Sequence, residues 1–300
     1  MDMNQLITLG LNVLVCLAFV VPVRFLLAKH IGVDAKHELD TKDNFAFGVS
    51  IAGGVLGLAF MLTGVMSGDP LDSYVSEFVS LLMYGVLGSV LLVAGVLIQD
   101  KIVIRGVTLS QEIKNGNLSA AIIVAVNMAV IGLVAKKTLT WVDSEGVAGL
   151  LPVITVFVAS QIVLALVAVL RMSVYKLRNK SNETNGIDAA TSWSGAIKRG
   201  NVAIALRYAG QLLATGIAIS GASLLVDGED YSLFMSMAYW FAFSFGISFV
   251  IWLAYRIALP IVLFKVNVVE EVDHQQNVGV AAVEFALFVS LAFMVLAYII

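Results

Sequence analysis

The stretch from Asn44 to Gly64, NFAFGVSIAGGVLGLAFMLTG, decides the fold class of this chain. After Asn44 it holds no charged residue, and its length is enough for an α-helix to cross roughly 30 Å of hydrocarbon. The small residues Ala46, Gly53, Gly57 and Gly64 fall on one side of such a helix, where they allow close approach of a neighbour. The stretch therefore predicts a membrane helix packed through a small-residue stripe.

The rest of the chain has the same character. Of its 300 residues 60% are hydrophobic and 13% are charged, which is too apolar for a soluble domain of this size. No segment shows the two-residue alternation of a membrane β-barrel. We predict an all-α polytopic membrane protein with eight transmembrane helices. The apolar segments are 6–28, 45–66, 76–99, 118–135, 148–171, 202–225, 233–259 and 278–299.

The even-numbered segments each begin just after an asparagine, which indicates an internal repeat. These residues are Asn44, Asn117, Asn201 and Asn277. We predict four parallel two-helix repeats, grouped as 1–145 and 146–300, with a polar, linker-like loop at 178–200 in the second group. The small stripe recurs in the third and fourth units, where we predict the same helix-packing role. Its members there are Ala203, Gly210, Ala214, Gly221, Gly279, Ala286, Ser290 and Ala297.

Charge predicts the orientation. Thirteen lysines and arginines follow odd-numbered segments, whereas the opposite side has only Lys136 and Lys137 beside a set of acidic residues. Basic loops stay in the cytoplasm, so both termini should be extracytoplasmic. The net charge of −3 excludes a nucleic-acid binder and leaves the lipid bilayer as the main partner.

The Asn-apolar-Ala start and the small stripe resemble those of the YjfL-like bacterial inner-membrane proteins. Asn44 to Gly68 and Asn117 to Ala125 carry the resemblance most clearly. That family is built on a domain of unknown function, usually in chains of about half this length. The resemblance implies a tandem, doubled form in a bacterial plasma membrane, and it implies no catalytic residues.

Arg207 and Glu284 depart from this pattern, because they place opposite charges in the sixth and eighth segments. Each lies one to two turns past its asparagine, at the same depth, and a charge in hydrocarbon is normally paired. We hypothesise that they meet. The pair would be either a proton relay or cation site at Glu284, or a static contact that fixes helix register.

Other chemistry is sparse. Cys16 is the only cysteine, and His30, His37 and His274 lie in segments read as cytoplasmic loops without metal-ligand spacing. We expect no metal, no cofactor and no catalytic residues, and so no enzyme. Two functions stay open: ion, proton or small-solute permeation through the bundle, and a non-catalytic scaffold that recruits cytoplasmic or membrane partners. A homo-oligomer fits either function.

Overall fold

The protein is described by a computed structural model that covers residues 3–67, 74–141, 146–179, 192–226 and 233–299. These residues contain ten α-helices and no strand. Eight of the helices are long and apolar enough to cross a membrane, which confirms the predicted fold class. The helices are α1 (Met3–Ile31), α2 (Phe45–Met66), α3 (Tyr74–Ile98), α4 (Leu109–Lys114), α5 (Leu118–Trp141), α6 (Leu150–Asn179), α7 (Trp193–Lys198), α8 (Val202–Ala222), α9 (Leu233–Val262) and α10 (Val278–Ala297).

Several helices continue past the predicted segment ends. α5 runs through Lys136 and Lys137, which were expected in a loop, and both side chains are only partly exposed. Long basic side chains allow this, because their stems stay in apolar surroundings while the ammonium groups reach water. α6 and α7 occupy both ends of the predicted loop 178–200, and residues 180–191 lie outside the described residues. The proposed boundary at 145/146 lies at the edge of the described residues. Most acidic residues predicted for the side opposite the basic loops, such as Asp69 and Asp143, lie outside them.

We call α2, α5, α8 and α10 the returning helices, and they form the centre of the bundle. α2 packs on α5, α5 on α8, and α8 on α10, in the largest helix contacts of the fold. α1 and α3 flank the first pair, while α6 and α9 flank the second. A row of this kind exposes one side of its last member, α10.

Small residues set the spacing within this row. A Cβ atom added to Gly53 would lie 2.2 Å from the Cα of Ala125, and one added to Gly132 would lie 1.9 Å from the carbonyl oxygen of Gly57. α2 and α5 therefore touch backbone to backbone, an approach that only glycine permits.

The predicted stripes have different surroundings in different units. All four stripe residues are buried in α2, and all four are buried in α8. In the fourth unit the corresponding residues are exposed, so they do not mediate packing within the chain. The reason is positional, since α10 is the last returning helix of the row among the described residues. The exposed residues are Gly279, Ala286, Ser290 and Ala297.

Each returning helix begins at the same local motif, which we call a junction. A junction is a short helical turn, a residue with positive φ, and an asparagine whose Oδ1 accepts a backbone N–H of the first helical turn. In the first junction, His37–Thr41 forms a π-helical turn, Asp43 has φ +50°, and Asn44 accepts from Phe47 N at 3.1 Å. The other junctions have Gly116, Gly200 and Gln276 at positive φ and are capped by Asn117, Asn201 and Asn277.

Hydrogen bonds join the junctions in series. The Nδ2 of each of the first three asparagines donates to a backbone carbonyl in the next junction, four or five residues before the next asparagine. The bonds run from Asn44 to Ile113 at 3.0 Å, from Asn117 to Ile197 at 2.7 Å, and from Asn201 to Val272 at 3.3 Å. All four junctions therefore lie at one end of the bundle, which we call the junction end.

Glu38 ties the first junction together. Its carboxylate accepts from Asn44 Nδ2 at 2.6 Å and from Lys42 Nζ at 3.1 Å, and Lys42 also reaches the carbonyl of Lys114 at 2.9 Å. Burial raises the pKa of Glu38, but the hydrogen bonds from Asn44 and Lys42, with the charges of Lys42 and His37, outweigh it, so the pKa lies below its ordinary value. The first junction is therefore held partly by a charge.

Candidate functional site

Arg207 and Glu284 form an ion pair inside the second half of the bundle. Arg207 lies in α8 six residues after Asn201, and Glu284 lies in α10 seven residues after Asn277. Arg207 Nε donates to Glu284 Oε2 at 2.6 Å. The two residues are 7% and 1% exposed, so water screens the pair little. The structure thus brings together the two charges that the sequence placed at one depth.

A second carboxylate, from Asp273, shares the same guanidinium. Asp273 is in the π-helical turn Glu270–His274 of the fourth junction, and it accepts a hydrogen bond from Arg207 Nη1. Arg207 Nη2 donates to the carbonyl of Val268 at 3.1 Å. Each nitrogen of the guanidinium therefore has an acceptor, as burial of such a group requires.

Tyr255 completes the cluster from a third helix. Its hydroxyl, on α9, donates to Oε1 of Glu284, the carboxylate oxygen that Arg207 does not contact. Its ring stacks on Phe288 with the ring centroids 3.7 Å apart, and the Arg171 guanidinium lies 5.5 Å from the Phe288 ring. We call Arg207, Asp273, Glu284 and Tyr255 the charge network.

The charge network contains one more acid than base. With both carboxylates ionised and Arg207 protonated, its formal charge is −1. A net charge in a medium of low dielectric constant is costly, and a proton or another cation would remove the excess. The network is therefore chemically suited to take up one positive charge.

A cleft reaches the network from the side of α6 and α7. Arg207 forms part of its wall, together with a second arginine, three aromatic residues and an amide. These are Arg171, Tyr175, Trp193, Tyr208 and Gln211. Trp193 and Tyr208 pack ring against ring at 5.2 Å, which makes this part of the wall rigid. The lining supplies polar groups next to the buried guanidinium.

No comparable chain of polar groups leads from the network to the opposite end of the bundle within the described residues. Three buried hydroxyls along α8 and α9 bond to nearby backbone carbonyls, Thr215 to Gln211, Ser220 to Gly216 and Ser244 to Trp240, whereas the buried hydroxyl oxygen of Ser248 has no hydrogen-bond partner among the described residues. The indole N–H of Trp240 donates to the carbonyl of Ile219 at 2.7 Å. In this conformation, that half of the bundle is closed.

Sequence reasoning missed Asp273 and Tyr255. Asp273 lies four residues before its asparagine, where the second and third junctions have Ile113 and Ile197. The first junction also has an acid there, Asp40, so only the contrast with the second and third junctions was available as a signal. Tyr255 lies near the end of an apolar segment, where aromatic residues are common at the membrane interface, and no sequence pattern indicates that it faces Glu284.

The structure places His30 in a helix, whereas the sequence analysis assigned it to a loop. His30 is in the last turn of α1, and its Nε2 lies 3.2 Å from the hydroxyl of Ser110, which donates to Asp100. Here the serine stands between the histidine and the acid, so the histidine lacks the orienting carboxylate of a nucleophilic triad. Within the described ranges, no group of three metal-ligating side chains is assembled.

The comparisons with known proteins agree with this architecture. A UPF0719 transmembrane protein of Aquifex aeolicus (strain VF5) is 31% identical over 84 residues, which are 28% of this chain and 31% of that protein. The match therefore spans about a third of the relative's length. No solved structure matches the chain.

A family model matches three overlapping parts of the chain, residues 1–139, 75–191 and 145–299, and its description is Domain of Unknown Function (DUF350). Together these matches run from residue 1 to residue 299 and support the internal repeat. The chain belongs to the DUF350 family of membrane proteins, in a tandem form.

Proposed function

We propose that this protein moves protons or small cations across a bacterial plasma membrane, with the charge network as the site that binds the transported charge. The observation that carries the proposal is the sharing of one guanidinium by two buried carboxylates, Asp273 and Glu284. Ionisable groups inside membrane segments mark ion pathways more often than they mark anything else. Uptake of one cation neutralises this network.

The orientation is part of the proposal. The junction end faces the cytoplasm and both termini lie outside, because basic residues collect at that end. Asp273 belongs to the fourth junction, so the network sits near the cytoplasmic side. The cleft beside Arg207 then supplies the inner access, and release on the other side requires the helices to separate.

α9 is the helix best suited to such a movement. Only 17% of its membrane-spanning window is buried, against 83% for α8. Its Tyr255 holds Glu284 from the edge of the bundle. An outward shift of α9 would break this contact without disturbing the row of returning helices.

Reconstitution into liposomes with an internal pH-sensitive dye tests the proposal. We expect proton flux from the wild-type protein, and its loss in Glu284→Gln, which keeps the shape of the side chain and one accepting oxygen but removes the titratable group. Glu270→Gln is the matched control, because Glu270 is an exposed acid of the same junction. Equal flux in Glu284→Gln and wild type, with sodium and potassium gradients as well as proton gradients, would refute the proposal.

A non-catalytic scaffold is the second candidate, and the serial hydrogen bonding of the junctions favours it. Asparagine contacts fix all four junctions into one ordered polar surface at the junction end. Photo-crosslinkers at exposed Lys36 and Gln275, with one at exposed Phe249 in α9 as control, test it in membranes. One protein crosslinked in stoichiometric amount from both junction sites and not from Phe249 supports a scaffold. Absence of such a product contradicts it.

Neither candidate function requires catalysis, and we propose that the protein is not an enzyme. The one hydroxyl of the charge network, on Tyr255, is buried and donates to Glu284, and Ser110 donates to Asp100 rather than to a histidine base.

A further inference from the structure

A second polar cleft lies at the junction end, in a part of the molecule that the charge network does not reach. Its volume is about 530 Å³. One side is the segment that joins α3 to α4, with Lys101 and Arg105, and α4 adds Gln111. The other side is the end of α7, with Lys198. Residues nearly a hundred positions apart thus build one cavity.

Among the described residues, the cations of this cleft form no ion pair with a carboxylate. Across the described segments, the ion pairs are Lys42 with Glu38 and Arg207 with Asp273 and Glu284. Lys101, Arg105 and Lys198 take part in none of them, and all three are exposed.

The two acids that line the cleft are engaged elsewhere. Asp100 accepts from the backbone N–H of Leu109 at 2.5 Å and from the hydroxyl of Ser110. Glu112 accepts from Asn117 Nδ2 at 2.9 Å, inside the second junction. Their carboxylates therefore hold the local structure, and the three cations face the cavity together.

The segment that carries Lys101 and Arg105 is anchored. Ile104 and Val107 on either side of Arg105 are 2% and 5% exposed. Gly106 has φ +86°, and a Cβ added there would lie 2.9 Å from the hydroxyl oxygen of Ser194 in α7. This glycine lets the segment lie directly against α7, which fixes the separation of the two sides.

We propose that this cleft binds a phosphate-bearing anion. Against the two carboxylates the lining has a formal charge of +1, and its three cations are the charged groups left available to bind a multiply charged anion. Arg105 supplies a planar donor pair that fits phosphate oxygens, the lysines supply two further charges, and Thr108 and Gln111 supply neutral donors. The phosphate belongs either to a soluble compound or to the headgroup of an anionic phospholipid.

The test uses the whole protein in nanodiscs and a variant that removes all three charges, Lys101→Gln with Arg105→Gln and Lys198→Gln. The control variant carries Lys29→Gln, Lys36→Gln and Lys176→Gln, three exposed lysines that lie outside the cleft. Calorimetry with inorganic pyrophosphate, in phosphatidylcholine nanodiscs, probes a soluble ligand. Native mass spectrometry after mixing with phosphatidylglycerol and phosphatidylcholine probes a lipid headgroup.

In at least one arm we expect binding that the cleft variant weakens about tenfold or more while the control variant leaves it nearly unchanged. Pyrophosphate binding identifies a soluble ligand, whereas selective retention of phosphatidylglycerol identifies a lipid. Should the triple variant fail to fold, Arg105→Gln alone is expected to weaken the same binding about threefold to tenfold. If neither ligand distinguishes the cleft variants from the control, the proposal is wrong. Proton flux plays no part in either readout, so the result is independent of transport.

Discussion

Two pairs of returning helices, α2 with α5 and α8 with α10, pack in the same register. The first pair buries neutral residues at the place where the second pair buries charges. Gly53 and Gly210 hold the same position, counted from their asparagines. Gly53 faces Ala125 in α5 and Gly210 faces Phe285 in α10, and these two residues also hold equivalent positions. The same rule pairs Gly64 with Lys136 and Gly221 with Leu296. A common scaffold therefore underlies both halves of the chain.

The chemistry inside the two pairs differs completely. The position of Arg207 is taken in the first pair by Ser50, that of Glu284 by Val124, and that of Asp273 by Ile113. All three residues of the first pair are buried, and Ser50 bonds to the carbonyl of Ala46 in its own helix. α2 and α5 pack backbone to backbone, whereas α8 and α10 hold a charged cluster at the equivalent place. The scaffold tolerates either filling, so the proposed transport site depends on three substituted positions.

Replacement of the network by its counterpart provides the strongest test of this comparison. Arg207→Ser alone leaves two buried carboxylates without a cation and should reduce the free energy of unfolding by about 3–5 kcal/mol. The triple change Arg207→Ser, Asp273→Ile and Glu284→Val copies the first pair and should recover most of that loss. Thermal unfolding in detergent measures both. A triple variant less stable than Arg207→Ser would show that the pairs are not interchangeable.

Glycine substitutions compare the packing of the two pairs. Gly132→Ala drives a methyl group into the Gly57 carbonyl and should cost about 3 kcal/mol, whereas Gly210→Ala, with 2.7 Å to the Cα of Phe285, should cost about 1–2 kcal/mol. Gly246→Ala is the control, because nothing lies within 4 Å of the added atom. Unfolding midpoints that fail to follow this order would contradict the closer approach of α2 and α5.

Substitution of the capping asparagines compares how much the first and last junctions contribute to the free energy of unfolding. Asn44→Ala removes a cap and takes away one of the hydrogen-bond donors of the Ile113 carbonyl and one of those of Glu38, so it should cost about 2–3 kcal/mol. Asn277→Ala loses an exposed cap with no bond to a further junction, and about 1 kcal/mol is expected. Equal losses in thermal unfolding would mean that the bond between junctions contributes nothing.

The smallest expected effect is the pH dependence of the stability that Glu38 contributes to the fold. Because its pKa is lowered in the folded protein, its ionised form stabilises the fold above the ordinary value of 4.5, and this contribution disappears as the pH falls through the folded pKa. Glu38→Gln should therefore lower the unfolding midpoint at pH 7 and converge on wild type in acid. Glu271→Gln at the fourth junction, where no lysine pairs with the acid, is the control. A gap between Glu38→Gln and wild type that is the same at both pH values would contradict the assignment.

The sequence was sufficient for features that depend on local chemistry. Eight apolar segments follow from the thickness of the hydrocarbon, and Asn44 and its counterparts start helices because an asparagine side chain can satisfy its own helix terminus. The glycines of α2 indicated close approach. The depth of Arg207 and Glu284 followed from the helical rise alone.

Tertiary structure decided which of these features meet. Tyr255 reaches Glu284 only because α9 packs beside α10, and Asp273 reaches Arg207 only because the fourth junction folds over α8. The small stripe of α10 has the same pattern as that of α2, yet it is exposed because no described returning helix packs against it. A residue's own sequence surroundings fix its helix and its depth in the membrane. The neighbours that pair its charge or cover its surface come from other segments, and the packing of the row determines them.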